Sequence, residues 1–187
     1  MGCTSTASAA LISRLGGLAV YDTDFNITWL ANANVNGTIS WASANTWATG
    51  LNIGGYTGWR LPTADPACGI GNNCINSELG HLYYTELGLT AGNNITSSTS
   101  PYLALFTNVQ NSTYWSGTEY SPGSSVVWFF ATAIGLQNYF YKDAQDRYAW
   151  AVRSGDVGGS SVPEPGILGL MGIGALAWAG TRSRRRV

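Results

Sequence analysis

Charged side chains are scarce in this chain of 187 residues, in which Asp, Glu, Lys and Arg together make up only 10% of the sequence. An average soluble domain carries about 25%, so Ser, Thr and Asn must supply much of the surface polarity. The scarcity also excludes an intrinsically disordered chain, because disordered chains combine high charge with few aromatic residues. This sequence instead contains 8 Trp and 10 Tyr. A surface of hydroxyl and amide groups is more typical of an exported protein than of a cytosolic one.

Basic residues are also few, and four of the nine lie within the last six positions. Up to residue 161 the chain has five basic and nine acidic residues, which gives a net charge of −4. A nucleic-acid-binding protein needs a basic surface that neutralises phosphates. The sequence therefore predicts that nucleic acid is not a partner.

Histidine occurs once, at His81, and the chain has no Gly-x-Ser-x-Gly motif. Neither a Ser-His-Asp triad nor a cofactor motif is recognisable, so we expect no catalytic residues, no cofactor and no enzyme activity. His81 points away from the apolar side of its predicted helix, which predicts an exposed surface histidine. The acidic residues are scattered along the sequence, whereas calcium needs several converging oxygen ligands. The sequence therefore predicts no metal site.

Two of the three cysteines, Cys68 and Cys74, bracket a short glycine-rich loop. A metal site would need further soft ligands, and the chain offers only His81 and Cys3. Two cysteines across a flexible loop of an exported domain predict a local disulfide. Because the loop is short, such a bond contributes roughly 2 kcal/mol in the chain-entropy description.

A strand-to-helix junction is predicted where a glycine-rich turn, Gly54 to Gly58, precedes Trp59-Arg60-Leu61 and Pro62. In an extended segment Arg60 lies on the opposite side from its two neighbours. Its natural partner is Glu78 in the first turn of the next helix, where a carboxylate also suits the helix dipole. We expect a structural ion pair between these two side chains, and ligand binding by Arg60 is the alternative that stays open.

Apolar periodicity predicts an α+β domain. Strands are expected at residues 18–21, 27–30, 59–61, 114–120, 126–134, 137–142 and 147–153, the last with Tyr148, Trp150 and Val152 on its one buried face. One helix should follow Ser40, with Ala44 and Ala48 on its apolar side, and a second should follow Ser77 and end at Gly88. Residues 88–113 are expected to form a long loop.

Both ends of the chain differ in composition from the domain between them. Residues 1–10 are small and polar and contain Ala7-Ser8-Ala9, so we expect either the remnant of a truncated signal peptide or a disordered terminus. Gly155 to Ser161 is rich in Gly and Ser and predicts a flexible linker. Because the domain is expected to end at residue 156, the linker is assigned to 157–161. Residues 166–180 are free of charge but short for a stable membrane span, which needs roughly 20 residues.

The C-terminal segment 162–187 resembles a PEP-CTERM sorting signal. It contains Pro163-Glu164-Pro165, an apolar run that is expected to be helical, and a basic end that includes Arg184, Arg185 and Arg186. The resemblance implies export in a Gram-negative bacterium, transient insertion of residues 166–180 into the inner membrane, and processing by an exosortase. The basic end would stay cytoplasmic, and the product would reach the cell surface or the extracellular, polysaccharide-rich biofilm matrix.

Residues 11–156 resemble the Lcl C-terminal domain family, which is similar to C-type-lectin-like folds. The matching segments are Ile27-Thr28-Trp29-Leu30, Trp41 with Ala44 and Trp47-Ala48, Gly58-Trp59-Arg60-Leu61-Pro62-Thr63, Glu78-Leu79, Tyr114-Trp115-Ser116-Gly117-Thr118 and Ala149-Trp150-Ala151-Val152-Arg153. The resemblance implies two helices packed on a twisted, mostly antiparallel sheet. The sequence lacks the calcium-binding Glu-Pro-Asn, Gln-Pro-Asp and Trp-Asn-Asp motifs of lectins with that fold.

A surface module that binds glycan or matrix is the function we expect, and a structural matrix component without a ligand is the alternative. Sugar sites combine aromatic faces with planar polar side chains. Groups of these kinds lie near strand ends and loops at Trp115, Glu119, Tyr120, Asn138, Tyr139 and Tyr141. They predict a shallow site for extracellular polysaccharide. Trp59, Trp128 and Trp150 occur in patterns typical of the core and are assigned to packing.

Overall fold

Short strands alternate with short helices in the computed structural model, which describes residues 10–121 and 125–158. The strands are β1 (Leu11–Arg14), β2 (Ala19–Asp22), β3 (Ile27–Leu30), β4 (Thr38–Ile39), β5 (Gly71–Asn72), β6 (Thr113–Glu119), β7 (Val126–Ala131), β8 (Leu136–Tyr141), β9 (Arg147–Tyr148) and β10 (Val152–Ser154). Helix α1 covers Trp41–Thr49, and α2 covers Glu78–His81 and continues as a π-helical turn over Leu82–Glu86. Short 3-10 helices occupy Leu15–Gly17, Ile95–Ser97 and Pro101–Leu105. The predicted α+β class is confirmed.

The described strands form two sheets. The first has the order β1-β2-β3-β10, and all of its neighbouring strands are antiparallel. The second has the order β4-β9-β6-β7-β8-β5 and is antiparallel except between β6 and β9, where Tyr114 pairs with Tyr148 in parallel. The domain is therefore mostly antiparallel, as predicted, but its strands are divided between two sheets.

Trp150 joins the two sheets through the core. Its ring is fully buried and lies 5.2 Å from the ring of Trp29 in the first sheet and 5.5 Å from that of Tyr114 in the second. Its indole nitrogen donates a hydrogen bond to Leu30 O at 2.7 Å, which satisfies the polar end of the buried side chain. Trp59 is also fully buried. The assignment of these two tryptophans to packing is confirmed.

Both helices begin at the predicted serine caps. Ser40 Oγ accepts a hydrogen bond from Ser43 N, and Ser77 Oγ accepts one from Gly80 N. Gly80 also permits a close approach of the preceding loop, because a Cβ atom at this position would lie only 2.0 Å from Cys74 O. Helix α2 is thus packed directly against the disulfide-bearing insert that precedes it.

Three strand predictions differ from the structure. The strand expected at 126–134 ends at Ala131, where a turn begins. Trp59-Arg60-Leu61 forms no continuous strand, and only Arg60 bridges to Val152, with both N–H···O bonds at 2.8 Å. The expected single strand 147–153 is divided into β9 and β10, which belong to different sheets. Because the chain passes from one sheet to the other, Ala149 and Ala151 are as buried as Trp150, so this segment does not have the one buried face that its alternation predicts.

The folded domain extends further at its C-terminal end than predicted. Val157, assigned to the linker, is fully buried, and Gly158 N donates a hydrogen bond to the hydroxyl of Tyr56. Asp156 pairs with Arg14 of β1 at 2.7 Å. The chain up to residue 158 is therefore part of the domain, because these contacts fix it against β1 and the loop that contains Tyr56.

Several segments lie outside the described residues, namely 1–9, 122–124 and 159–187. The predicted leader remnant, the rest of the linker, the apolar helix 166–180 and the sorting residues Pro163, Glu164, Pro165, Arg184, Arg185 and Arg186 all fall there. Within the described ranges, no helix has the length and hydrophobicity that a membrane span requires.

Candidate functional sites

The ion pair between Arg60 and Glu78 ties the junction to the start of α2. The guanidinium donates to both carboxylate oxygens, at 2.8 and 2.6 Å, and Glu78 Oε2 also accepts from Thr63 N at 2.7 Å. The hydrogen bond to Glu78 raises the pKa of Arg60 despite partial burial. The structure thus brings the two predicted partners together in a bidentate pair, the strongest geometry for arginine and carboxylate.

The cysteine-bearing insert is fastened both covalently and by a buried glutamine. Cys68 and Cys74 form the predicted disulfide. The Gln137 side chain of β8 donates to Asp65 O at 2.7 Å and Gly69 O at 3.0 Å, and accepts from Asp65 N at 2.9 Å. Gln137 is almost fully buried. It therefore holds the insert against β8, which places the insert beside the aromatic end of the second sheet.

A groove of about 390 Å³ lies between this insert and the ends of strands β6 and β7. Its described lining consists of Pro66, Gly69, Ile70, Glu119, Tyr120, Ser121 and Trp128. The Tyr120 ring lies 5.3 Å from that of Trp128 and stacks at 4.1 Å against Tyr139 of β8. We call this surface the aromatic groove. Its walls are apolar and aromatic, while Glu119 and Ser121 supply polar atoms.

The structure brings only part of the predicted ligand site together. Glu119 and Tyr120 line the aromatic groove, and Tyr139 supports Tyr120 by stacking. Asn138 points to the other face of β8, because side chains alternate along a strand. Tyr141 is 59% exposed but does not belong to the groove lining. The Glu119 carboxylate is paired with Lys142 at 3.0 Å.

Trp115 was predicted to contact a ligand, and that prediction is wrong because its side chain is fully buried. Its indole nitrogen donates to Ile39 O at 2.8 Å. The ring is packed against the guanidinium of Arg147, at 5.0 Å, which also lies 4.0 Å from the Phe140 ring. Burial lowers the pKa of Arg147 although Asp146 pairs with it. A position in the middle of β6, rather than at its end, explains the burial of Trp115.

Trp128 has two roles that the sequence pattern does not separate. It is 97% buried, as expected for a packing residue, yet it also lines the aromatic groove. It pairs directly with Tyr139 in the register of β7 and β8, and the two rings meet edge to face at 5.9 Å. Trp128 therefore forms the buried part of the groove on which Tyr120 and Tyr139 rest.

His81 is buried, which contradicts the prediction of an exposed histidine. Its Nε2 atom lies 3.4 Å from Glu86 Oε1, 3.9 Å from Asp22 Oδ2 and 3.7 Å from Asp24 Oδ2. The ring stacks on Phe25 with a centroid distance of 4.1 Å. The acidic residues that are scattered in the sequence thus converge around the single histidine. We call Asp22, His81 and Glu86 the polar cluster.

The charges of the polar cluster shift the pKa values of its members. Burial raises the pKa of Asp22, although hydrogen bonds from the amides of Phe25 and Asp24 and the charge of His81 oppose the shift. For His81, burial alone would lower the pKa, but the adjacent Glu86 and the charges of Asp22 and Asp24 together raise it. Both shifts favour protonation, so the cluster attracts positive charge.

A π-helical turn explains why the sequence pattern misses the polar cluster. In an α-helix of 3.6 residues per turn, His81 and Glu86 would be about 140° apart around the axis. Over Leu82–Glu86 the helix widens, and Leu87 N donates to Leu82 O, five residues earlier. This spacing aligns residues five apart. His81 and Glu86 therefore face the same side, toward the β2–β3 turn that carries Asp22.

Comparison with known protein families agrees with this architecture. The profile described as the PEP-CTERM protein-sorting motif matches residues 161–186 and supports export through the exosortase pathway to the cell surface. The search of curated proteins gives no match. The profile described as the Lcl C-terminal domain matches residues 18–153, which cover most of the chain and nearly all of the described domain. The chain therefore belongs to the Lcl C-terminal domain family.

Proposed function

We propose that this exosortase-sorted surface protein is a binding module that holds extracellular polysaccharide in the aromatic groove. Sugar rings present apolar C–H faces and polar hydroxyls, so their sites combine aromatic surfaces with a few polar groups. The groove meets this description, with Tyr120 and Trp128 as aromatic walls and Glu119 at its rim. The stacked pair of Tyr120 and Tyr139 is the observation that carries the proposal.

The surroundings of the groove favour a rigid site. The Cys68–Cys74 disulfide and the hydrogen bonds of Gln137 fix the insert that supplies Gly69 and Ile70. Ile70 is 56% exposed and offers an apolar surface for the C–H face of a sugar. A preformed site loses little conformational entropy when it binds.

Binding, rather than catalysis, is the activity that these side chains support. Glu119 is the one acidic residue in the described lining, and it is already paired with Lys142. Glycoside hydrolysis needs two carboxyl groups on either side of the bond. We accordingly propose a non-enzymatic protein of the extracellular matrix of a Gram-negative bacterium. The C-type-lectin-like fold implied by the sequence resemblance stays a prediction.

The proposal is tested with Tyr120→Ala and Tyr139→Ala in the full-length chain. We expect either change to weaken retention on immobilised exopolysaccharide of the producing organism by about tenfold. Tyr120→Ala removes an aromatic wall of the groove, and Tyr139→Ala removes the ring that stacks on Tyr120 and holds it in place. Retention would be measured as an apparent Kd by affinity electrophoresis, and thermal unfolding would show that the variants are folded.

Tyr141→Ala is the matched control, since Tyr141 is an exposed tyrosine of the same strand that neither lines the groove nor stacks on Tyr120, and instead contacts Phe140. This variant should bind like the parent chain. Equal retention by all three well-folded variants would contradict the proposed site. It would then favour the alternative of a structural matrix component whose domain binds no polysaccharide.

A further inference from the structure

The polar cluster contains buried polar atoms without hydrogen-bond partners among the described residues. They are Asp22 Oδ2, His81 Nε2, Glu86 Oε1 and Glu86 Oε2. The side chains of Asp22 and Glu86 are completely buried and that of His81 is 8% exposed. A buried carboxylate without a partner costs far more than an exposed one. Four such atoms at one point therefore require an explanation, because native domains contain only a few in total.

The geometry of the cluster fits a bound cation. One ligand atom from each of Asp22, His81 and Glu86 lies within 4.8 Å of the other two. His81 Nε2 is 3.4 Å from Glu86 Oε1 and 3.9 Å from Asp22 Oδ2. Two ligands of a tetrahedral zinc ion, each about 2.1 Å from the metal, lie about 3.4 Å apart. An ion between these three atoms would replace the missing hydrogen bonds.

Two of the ligands are held in place by backbone structure. Asp22 Oδ1 accepts hydrogen bonds from Asp24 N at 3.0 Å and Phe25 N at 3.1 Å, which leaves Oδ2 facing His81. Glu86 is brought to the same side as His81 by the π-helical turn, a feature that occurs often at functional sites. The ligand set is therefore preorganised by the β2–β3 turn and by α2.

Charge balance favours a divalent ion over a proton. A protonated His81 leaves a net charge of −1 beside Asp22 and Glu86, and its 3.4 Å approach to Glu86 is not a well-formed hydrogen bond. A neutral histidine with a divalent ion gives a net charge of zero for these three residues. When the nearby Asp24 carboxylate is counted as well, the ion leaves −1, whereas a protonated histidine leaves −2. Asp24, whose side chain is 36% exposed, lies at the rim, 3.7 Å from His81, and adds negative charge on the solvent side of the site.

We propose that Asp22, His81 and Glu86 bind a divalent transition-metal ion, with water completing its coordination and Asp24 at the rim of the site. The imidazole ligand favours zinc and similar ions over calcium, which prefers an all-oxygen shell. The ion would link the β2–β3 turn of the first sheet to the π-helical turn after α2. This proposal uses no residue of the aromatic groove, so it is independent of polysaccharide binding.

The test uses the full-length chain with Cys3→Ser as background, because a free thiol outside the described residues would also bind zinc. After removal of metal with EDTA and then of the chelator, Zn²⁺ is added. We expect one bound Zn²⁺ per chain by elemental analysis. We also expect a thermal unfolding midpoint that rises steadily with free Zn²⁺ above the Kd, since the ion binds the folded state. Calcium should have a much smaller effect.

Glu86→Gln and Asp22→Asn keep the side-chain volume and should each weaken Zn²⁺ binding by roughly a hundredfold or more, since even outer-shell changes cost about 10–100-fold. Asp24→Asn changes a partly exposed side chain at the rim, and should weaken binding by about tenfold, as an outer-shell change does. It keeps the test decisive if the buried variants unfold. Glu119→Gln, an exposed carboxylate elsewhere, should bind as the background chain does.

The proposal is overturned if the midpoint stays constant up to about 1 mM free Zn²⁺. It is equally overturned if Glu86→Gln and Asp24→Asn bind Zn²⁺ as tightly as the background chain, because the ion would then be elsewhere. A stronger response to Ca²⁺ than to Zn²⁺ would contradict the assignment to a transition metal.

Discussion

Two glutamates at opposite ends of one helical segment are both buried, but among the described residues only the first accepts hydrogen bonds. Glu78 receives three hydrogen bonds, two from Arg60 and one from Thr63 N. Glu86 accepts none from the described residues on either oxygen. The comparison shows two different uses of a buried carboxylate. Glu78 completes a structural ion pair, whereas Glu86 accepts no hydrogen bond from the described residues and faces His81.

The difference follows from the local backbone. Glu78 occupies the first turn of α2, where Ser77 caps the helix and a carboxylate suits the helix dipole. Glu86 ends the π-helical turn, where the register of the helix changes. Glu78, in a regular helical turn, is therefore paired within the protein. The π-helical turn instead brings Glu86 beside His81 without a hydrogen bond to either carboxylate oxygen from the described residues.

Replacing Arg60 removes the partner of the first glutamate, Glu78, and should have the largest effect on stability. Arg60→Ala leaves the Glu78 carboxylate buried with only one backbone partner. We expect a loss of about 3 kcal/mol in the free energy of unfolding, because an unpaired buried charge is strongly destabilising. Urea denaturation of the full-length chain would measure it.

Arg153→Ala is the control, since Arg153 is a half-buried arginine whose described hydrogen bonds go to backbone carbonyls. Its loss should cost less than about 1 kcal/mol. Adding Glu78→Gln to Arg60→Ala should recover part of the stability, because the uncompensated charge is then removed. Equal losses for the two arginines would show that the ion pair is not a main support of the junction.

The disulfide supports the same end of α2 and should have an intermediate effect. Cys74 O accepts from Ser77 N at 3.1 Å, so the loop closed by Cys68 leads directly into the helix cap. Replacing both cysteines by Ala should lower the free energy of unfolding by roughly 2 kcal/mol, since the closed loop is short.

Unfolding with and without a reducing agent checks this value, and the double variant should not respond to reduction. Peptide mass spectrometry of non-reduced, envelope-extracted protein should show Cys68 linked to Cys74. Free thiols at both positions in that material would contradict the prediction.

Sequence patterns predict the local elements of this fold well, and they fail where contacts are distant in sequence. The serine caps of both helices and the β2–β3 hairpin follow from neighbouring residues, and all are present. The pairing of Arg60 with Glu78 was accessible because basic residues are rare in the domain and Glu78 lies in the first turn of the next helix, where a carboxylate is favoured. The division of residues 147–153 between two sheets depends on which strands lie nearby, and alternation carries no such information.

The candidate sites show the same limit. Glu119, Tyr120 and Tyr139 are near strand ends and were identified from that position, whereas the insert that closes the groove over them was not. The sequence places His81 on the surface because it lies opposite the apolar side of its helix, but the β2–β3 turn covers that side and Phe25 stacks on its ring. Asp22 is 59 positions before His81, so only tertiary structure brings them together. The signal available in the sequence was that an acidic residue, Glu86, follows the single histidine, His81, by five positions.

Changes at the second glutamate, Glu86, should have the smallest effect on the free energy of unfolding, and that effect should depend on pH. The pKa values of His81 and Asp22 are both raised in the folded chain. The folded state therefore binds more protons than the unfolded state, and stability falls as pH rises. For Asp22 the loss begins above its unfolded pKa of about 3.9, and for His81 above about 6.5, continuing through the raised folded pKa. Urea denaturation in EDTA between pH 5 and 9 would measure this slope.

The effect of Glu86→Gln on the free energy of unfolding should change sign across this pH range. At pH 5 His81 is protonated and faces Asp22, Asp24 and Glu86, so removal of one of these charges destabilises the folded chain. Above the raised pKa of His81 the ring is neutral, and removal of a buried charge beside two other carboxylates should stabilise the chain by about 1 kcal/mol. The stability curves of variant and parent should therefore cross.

Glu119→Gln, which changes an exposed pair with Lys142, should leave the slope unaltered. Parallel curves for Glu86→Gln would show that His81 does not interact electrostatically with Glu86.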